Sequence, residues 1–397
     1  MTSGTPAPVR KRARSRDAPS KRHKIEEVPQ GLPPATRALN AKYHSRDDRF
    51  WFADGNIVLE AQGMLFKVHS SVLALHSDVL KGLLHARPLP AGAGHFPKNA
   101  GHSLVVTGDN GDALARLLET MYLGGQSDWF RWKMGHRAPL DFAEFRLVTL
   151  LAVKYNVKHV LDEATERLEA YYPSDTLWHW RAVKLAGEDA SGRRFPKHLR
   201  IRQSDSIAVV QLADQLGLPH LRPAALYECC RARDQEALLR GVAYGGETVR
   251  LSEDDVLLCL AAHQRLVQEN TRILHALLDG FPNGAQPAAC ATRGACRAAV
   301  ARLAHRAVEQ NIVARADPLD GWYDLVAGST AKGYDDKVCA RCQVALVRIV
   351  DERARAVWDK LGEIFHVYPW PLVMVDDGSD DEGADVYDDD SDDSQAL

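Results

Sequence analysis

Four of the seven cysteines in this 397-residue chain fall into two close pairs, Cys290-x5-Cys296 and Cys339-x2-Cys342. Thiolates bind soft divalent metals, and a two-residue spacer lets both sulfurs of a pair reach one ion across a tight turn. Together the pairs could form a tetrahedral four-cysteine zinc site joining two segments about forty residues apart. The five-residue spacer of the first pair is longer than the usual two to four. The competing reading is therefore four unligated thiols. A four-thiolate site would be closed and structural, with no open position for catalysis. The remaining Cys229, Cys230 and Cys259 sit in apolar helical runs and read as core residues.

Catalytic motifs are absent from the sequence. There is no Walker loop, Gly-rich dinucleotide turn, His-Glu-x-x-His or Gly-x-Ser-x-Gly, and the sixteen histidines lack ligand spacing. We expect no enzyme and no small-molecule substrate. The other enzymatic reading, an unfamiliar site, would need a deep pocket lined by perturbed titratable groups.

The elements that would carry an interaction surface lie near the N-terminus. Asn56 to Ala61 is a short β-rich run, Gln62-Gly63 is a turn signal, and Met64 to Val68 returns as a second strand. His69-Ser70-Ser71 opens a helix in which the serines can cap free amides. Ser77-Asp78 repeats that signal before Val79, Leu80, Leu83 and Leu84, at helical spacing. A hairpin and two short helices cannot bury their apolar faces alone. This segment resembles the start of a BTB/POZ domain. Asp54, Phe66, His69, Val72-Leu73, Ser77, Leu80 and Leu83 match the family pattern, and Tyr122 with Gly124 is similar to its close. The resemblance implies a third strand over Leu104 to Thr107, a helix over Asp112 to Tyr122, further helices over Phe142 to Tyr155 and Val157 to Tyr171, and a fold role for His69. Two insertions depart from it, His85 to Ser103 and Gln126 to Pro139, the second carrying Trp129, Phe130 and Trp132. The whole arrangement resembles the BTB proteins of mushroom-forming fungi.

From about Ser204 onward the chain reads as helical. Ile207 to Ala213 runs to Gly217, Pro223 to Leu239 forms a second helix, and Ser252 caps a third. Gly294 to Asn311 and Gln343 to Phe365 supply more, and Trp322 and Trp358 read as core anchors. Tyr368-Pro369-Trp370-Pro371 ends the fold, its Trp read as packing. The expected fold class is an α+β BTB/POZ domain followed by a mostly α-helical C-terminal region. The expected segments are a disordered basic arm (1–45), the BTB domain (46–172, core motif 54–125), a linker or basic loop (173–203), a helical domain (204–372) and a disordered acidic tail (373–397).

The net charge of −3 hides an asymmetry. Residues 10 to 24 carry eight Lys/Arg and one acid, and residues 376 to 393 carry eleven acids and no base. With those ends set aside, the body is near +1. Arg10-Lys11-Arg12 and Lys21-Arg22-x-Lys24 resemble a bipartite nuclear localisation signal, although a generic basic arm would look the same. Nucleic-acid contact through this arm would be weak and blind to sequence. In the acidic tail Ser379 and Ser391 resemble acid-directed kinase sites. There is no apolar run of membrane-spanning length, and the odd cysteine count without a secretory signal suggests an intracellular, reducing setting. We expect a non-enzymatic interaction protein that binds other proteins through its BTB domain and is able to form a homodimer. Its role would be a nuclear transcription or chromatin cofactor, the alternatives being a cullin-ligase substrate adaptor and an electrostatic nucleic-acid binder.

Overall fold

The computed structural model describes residues 45–85, 103–131, 139–185, 198–232, 235–244, 246–327 and 337–371. The basic arm, the acidic tail, most of the first insertion, Trp132 and residues 187–197 lie outside them. The architecture is mixed α/β and mostly helical, in two compact units, 1–122 and 123–397. Among the described residues no helix is long and apolar enough to cross a membrane.

The first unit is a four-stranded sheet with helices. Its strands are β1 (Ser45–Trp51), β2 (Ile57–Ala61), β3 (Met64–Val68) and β4 (Ser103–Val106), in the order β1-β3-β2-β4. Gln62 and Gly63 both take positive φ, +46° and +82°, so the hairpin closes on the tight turn whose twist suits paired strands. β3 and β2 are the inner strands, and β2 is buried throughout. It pairs antiparallel with β3 and parallel with β4. β1, parallel to β3, was not expected from sequence. Its run Ser-Arg-Asp-Asp-Arg-Phe-Trp is charged, and the polar pattern fits an edge strand rather than a buried one.

Helices α1 (Ser70–His76) and α2 (Asp78–His85) follow, then α3 (Gly111–Leu123). The expected serine cap on α1 is corrected: His69 occupies the N-cap position and its side chain makes no cap bond. The side chain of Asn56 serves instead, accepting from the Ser70 amide at 2.8 Å and donating to the Ser70 hydroxyl at 3.0 Å. The Ser77 hydroxyl does cap α2, accepting from the Leu80 amide at 2.9 Å. Phe66, Leu73 and Leu80 are core residues, Val72 is half-buried, and Leu83 points outward.

His69 joins the hairpin to α3. Its backbone N–H donates to the Tyr122 hydroxyl at 2.9 Å, and its Nδ1 lies 3.0 Å from the same oxygen. That oxygen therefore has its own proton free to donate to Nδ1, which leaves Nε2 protonated and facing the Asp54 carboxylate at 3.3 Å. Phe52 stacks on Tyr122 with ring centroids 4.9 Å apart. Three residues of the sequence pattern, Asp54, His69 and Tyr122, thus meet in one network.

The second unit is helical. It opens with the short helical turn Gly124–Gln126, where Gly124 takes φ +51°. Trp129 of the second insertion is buried and stacks on Phe145 with centroids 5.4 Å apart, while the Arg167 guanidinium lies over its ring and donates to its carbonyl. In the described part of that insertion Ser127 and Trp129 are core, while Gln126 and Asp128 stay exposed. α4 (Phe142–Tyr155) packs on α5 (Lys158–Tyr171). Within the expected linker, Leu177–Leu185 forms a helix, α6, whose Trp180 is fully buried. α7 (Ser206–Leu216) ends at Gly217 with φ +70°. The single helix expected over Pro223 to Leu239 is two, α8 (Arg222–Arg231) and α9 (Gln235–Arg240). Two short two-stranded ladders, Leu140–Asp141 with Leu199–Arg200 and Val242–Tyr244 with Glu247–Val249, complete the strands.

Ser252 caps α10 (Glu253–His275), accepting from the Asp255 amide at 3.1 Å. The chain then widens into a π-helical segment, Ala276–Ala285, containing Gly280, Pro282 and Gly284. α11 (Arg293–Glu309), α12 (Gly321–Ala327), α13 (Ala340–Trp358) and α14 (Leu361–Ile364) follow. Trp322 and Trp358 are buried. Trp322 donates its indole N–H to Asn270 at 2.8 Å, and Trp370 packs on Trp358 and donates to its carbonyl at 2.7 Å.

Tyr122→Phe removes the acceptor of the His69 amide and the donor to its ring. We expect a loss of about 1–2 kcal/mol in denaturant unfolding without a change in secondary structure. An unchanged midpoint would show that the network does not hold the hairpin to α3.

Candidate metal centre

The π-helical segment and the turn after it deliver Cys290 to the N-terminal end of α11, where Cys296 closes the first turn. Cys339 is the N-cap residue of α13 and Cys342 lies in its first turn. These four sulfurs all fall within 4.8 Å of one another. The Sγ separations are 3.7 Å for Cys290–Cys296 and 3.8 Å for Cys290–Cys339. A tetrahedron with zinc–sulfur bonds of about 2.3 Å has edges of about 3.8 Å. The donor set and its spacing therefore fit a thiophilic divalent metal, and the four cysteines could bind one such as zinc.

The five-residue spacer that weakened the sequence argument is accommodated by helix geometry. Thr292 precedes α11, and the Cys296 amide donates to its carbonyl at 2.9 Å, so the first helical turn swings Cys296 back toward Cys290. Cys290, Cys296 and Cys342 are buried, and Cys339 is half-buried. They lie in one apolar cluster with Leu277, Phe281, Val300, Leu346 and Trp322.

The surroundings favour negative charge on sulfur. The Cys339 backbone N–H points at Cys296 Sγ at 3.4 Å, and the Thr292 hydroxyl lies 3.3 Å from the same atom. Gln286 Nε2 faces Cys290 Sγ at 3.9 Å, and Gln286 is itself held by Arg297 at 2.9 Å. Cys339 and Cys342 lie at the positive end of α13, where unpaired amides stabilise anions. Burial opposes ionisation of Cys290, but hydrogen bonds from the Cys342 thiol, the Thr292 amide and the Cys296 and Cys339 thiols bring it down to about 7. Burial and those same thiol contacts push Cys342 up.

The other perturbed groups have structural partners. Lys184 faces Glu228 at 3.3 Å, over the rings of Tyr171 and Tyr172. Arg231 pairs with Glu228 at 3.2 Å and Asp317 at 2.9 Å. Burial lowers Lys184 and opposes ionisation of Glu228, yet the two cations hold Glu228 below its ordinary value. Sequence reading missed this network because its members are spread over α6, α8 and the segment before α12. A cleft of about 410 Å³ is lined by Asp175, Trp178, Arg181, Asp351, Arg355 and Asp359. In it Asp351 is taken up by Arg181 and Arg355, and Asp175 by His179. Cys229, Cys230 and Cys259 are core residues.

No protein-family model matches the chain, and no curated protein matches it.

Glu228→Gln leaves Lys184 and Arg231 buried without their shared counter-charge. We expect about 3 kcal/mol of destabilisation, read as a lower midpoint in urea. Wild-type stability in the variant would mean that water already screens the pair.

Proposed function

We propose that the chain is a non-enzymatic protein-interaction protein with a BTB/POZ-like first unit and a helical second unit held by one structural zinc ion. The observation that carries the zinc reading is the match between two sulfur separations, 3.7 and 3.8 Å, and the edge of a zinc–thiolate tetrahedron. Cys290, Cys296, Cys339 and Cys342 would hold the ion, and all four positions would be filled by protein. Such an ion supplies a cross-link and no chemistry on a substrate.

The interaction reading is supported by the outer face of the first unit. Leu75, on α1, is 81% exposed, and Val79 and Leu83, one turn apart on α2, are 39% and 51% exposed. The apolar residues at helical spacing on α2 are thus split: Leu80 goes in, Val79 and Leu83 face out. Apolar residues this exposed on neighbouring helices suit a protein partner. We assign that partner as a second copy of the chain, in line with the family resemblance of Asp54, Phe66, His69 and Tyr122. The basic clusters Arg10-Lys11-Arg12 and Lys21-Arg22-x-Lys24 favour a nuclear cofactor role over a ligase adaptor.

Native mass spectrometry of the full chain purified without added metal is expected to give one zinc per chain. Removal by a strong chelator is expected to lower the thermal midpoint, as is Cys342→Ser. A metal-free chain of unchanged stability that takes up no zinc would leave four unligated thiols as the answer. Light scattering of the full chain is expected to show a dimer that Leu75→Glu with Leu83→Glu converts to monomer. A wild-type monomer across the micromolar range would contradict self-association.

A further inference from the structure

We propose that the cleft between the start of α6 and the end of α13 is a binding site for an apolar peptide segment, and that its occupant is residues 372–375 of the same chain. The proposal goes beyond the zinc and interaction readings and depends on neither.

The cleft measures about 410 Å³, inside the range of about 300–1,000 Å³ over which protein clefts hold ligands. Two tryptophans of α6 divide between it and the core. Trp180 is fully buried, its ring centroid 6.1 Å from that of Trp358. Trp178 lines the cleft and is 56% exposed. Leu177 and Trp358 add apolar wall to the same cleft.

The polar groups of the lining largely answer one another. Asp351 accepts from Arg181 and, at 2.9 Å, from Arg355. Asp175 faces His179 at 3.0 Å. Asp359 is the remaining carboxylate of the lining. A lining so nearly balanced offers no strong complement to the basic residues 10–24 or to the acidic residues 376–393. What it offers beyond its own pairs is apolar surface.

The occupant follows from where the chain runs. Trp370 packs on Trp358 with ring centroids 5.0 Å apart and donates to its carbonyl at 2.7 Å. The described chain therefore ends at Pro371 beside a residue that lines the cleft. The next four residues are Leu372, Val373, Met374 and Val375, the one run of four large apolar side chains outside the described residues. Asp376 and Asp377 follow and give the run a sharp end. Four extended residues reach about 13 Å, enough to lie along a cleft of this volume. Their burial is favoured because it removes contiguous apolar surface from water. The short tether raises the local concentration of the segment to about the millimolar range, so the chain's own residues outcompete the same residues of another copy. Docking covers Trp178 and fixes the start of the acidic residues at the end of α13. Any other apolar peptide must displace this segment to enter.

The test uses the full chain with a photoreactive benzoylphenylalanine in place of Met374. Illumination is expected to give cross-links within one chain to residues 175–181 or 351–359, mapped by mass spectrometry. Val373→Asp with Val375→Asp is expected to lower their yield at least tenfold. Cross-links to neither segment overturn the proposal. Cross-links that the two aspartates leave undiminished also overturn it, since they report the tether alone. Cross-links found only between two chains assign the cleft to a second copy and overturn docking within one chain. A second reading comes from the full chain labelled with 5-fluorotryptophan, the Trp178 resonance being assigned with Trp178→Phe. The two aspartates are expected to shift that fluorine resonance by more than its linewidth while the resonance of the core residue Trp322 stays in place. A Trp178 resonance that does not move contradicts the proposal.

Discussion

The helical unit depends on one short-range constraint: four sulfurs from two distant segments share a volume in which all lie within 4.8 Å of one another. Two elements approach that volume in ways that suit anions. α13 presents the amides of its first turn, and the turn before α11 presents Thr292. The π-helical segment between α10 and Cys290 is what places the first pair there, with Leu277 and Phe281 both turned inward as it does so. Without a bound cation the cluster is a largely buried set of polarisable thiols. With a cation it becomes a cross-link between chain segments that are also tied by apolar contacts such as those of Val300, Leu346 and Trp322 and by the Arg341 guanidinium donating to the Ala289 carbonyl.

The first unit rests on a different device. A tyrosine hydroxyl at the end of α3 accepts from a backbone amide and lies against a histidine ring at the hairpin's exit. Polar partners half-removed from water are worth more than exposed ones, because leaving them unpaired costs desolvation. The aromatic rings of Phe50 and Phe52 cover that contact. The outer apolar residues of α1 and α2 do not share in it. They stay exposed while the network keeps the hairpin in place.

Much of this was legible in the sequence where a local rule decides the outcome. The Gln62-Gly63 turn, the return strand Met64 to Val68, the Ser252 cap and the Gly217 helix end all follow from backbone preferences of single residues. The Cys339-x2-Cys342 pair was legible because its spacing is set within one turn. What could not be read depends on tertiary partners. β1 has a charged run and becomes a strand only because β3 offers an open edge. α6 falls within the expected linker, and only packing shows its Trp180 to be core. Asn56 caps α1 across fourteen residues, a distance at which no local pattern speaks. The fate of Leu83 was also beyond sequence, since helical spacing cannot tell which apolar residues find cover.

The central claim is that Cys290, Cys296, Cys339 and Cys342 hold one zinc ion with no other ligand. X-ray absorption at the zinc edge, on the full chain as purified, tests it most directly. The account predicts a single shell of four sulfurs at about 2.3 Å, lost in the Cys342→Ser variant. A shell containing nitrogen or oxygen in the wild-type chain, or a spectrum that the variant leaves unchanged, would contradict it.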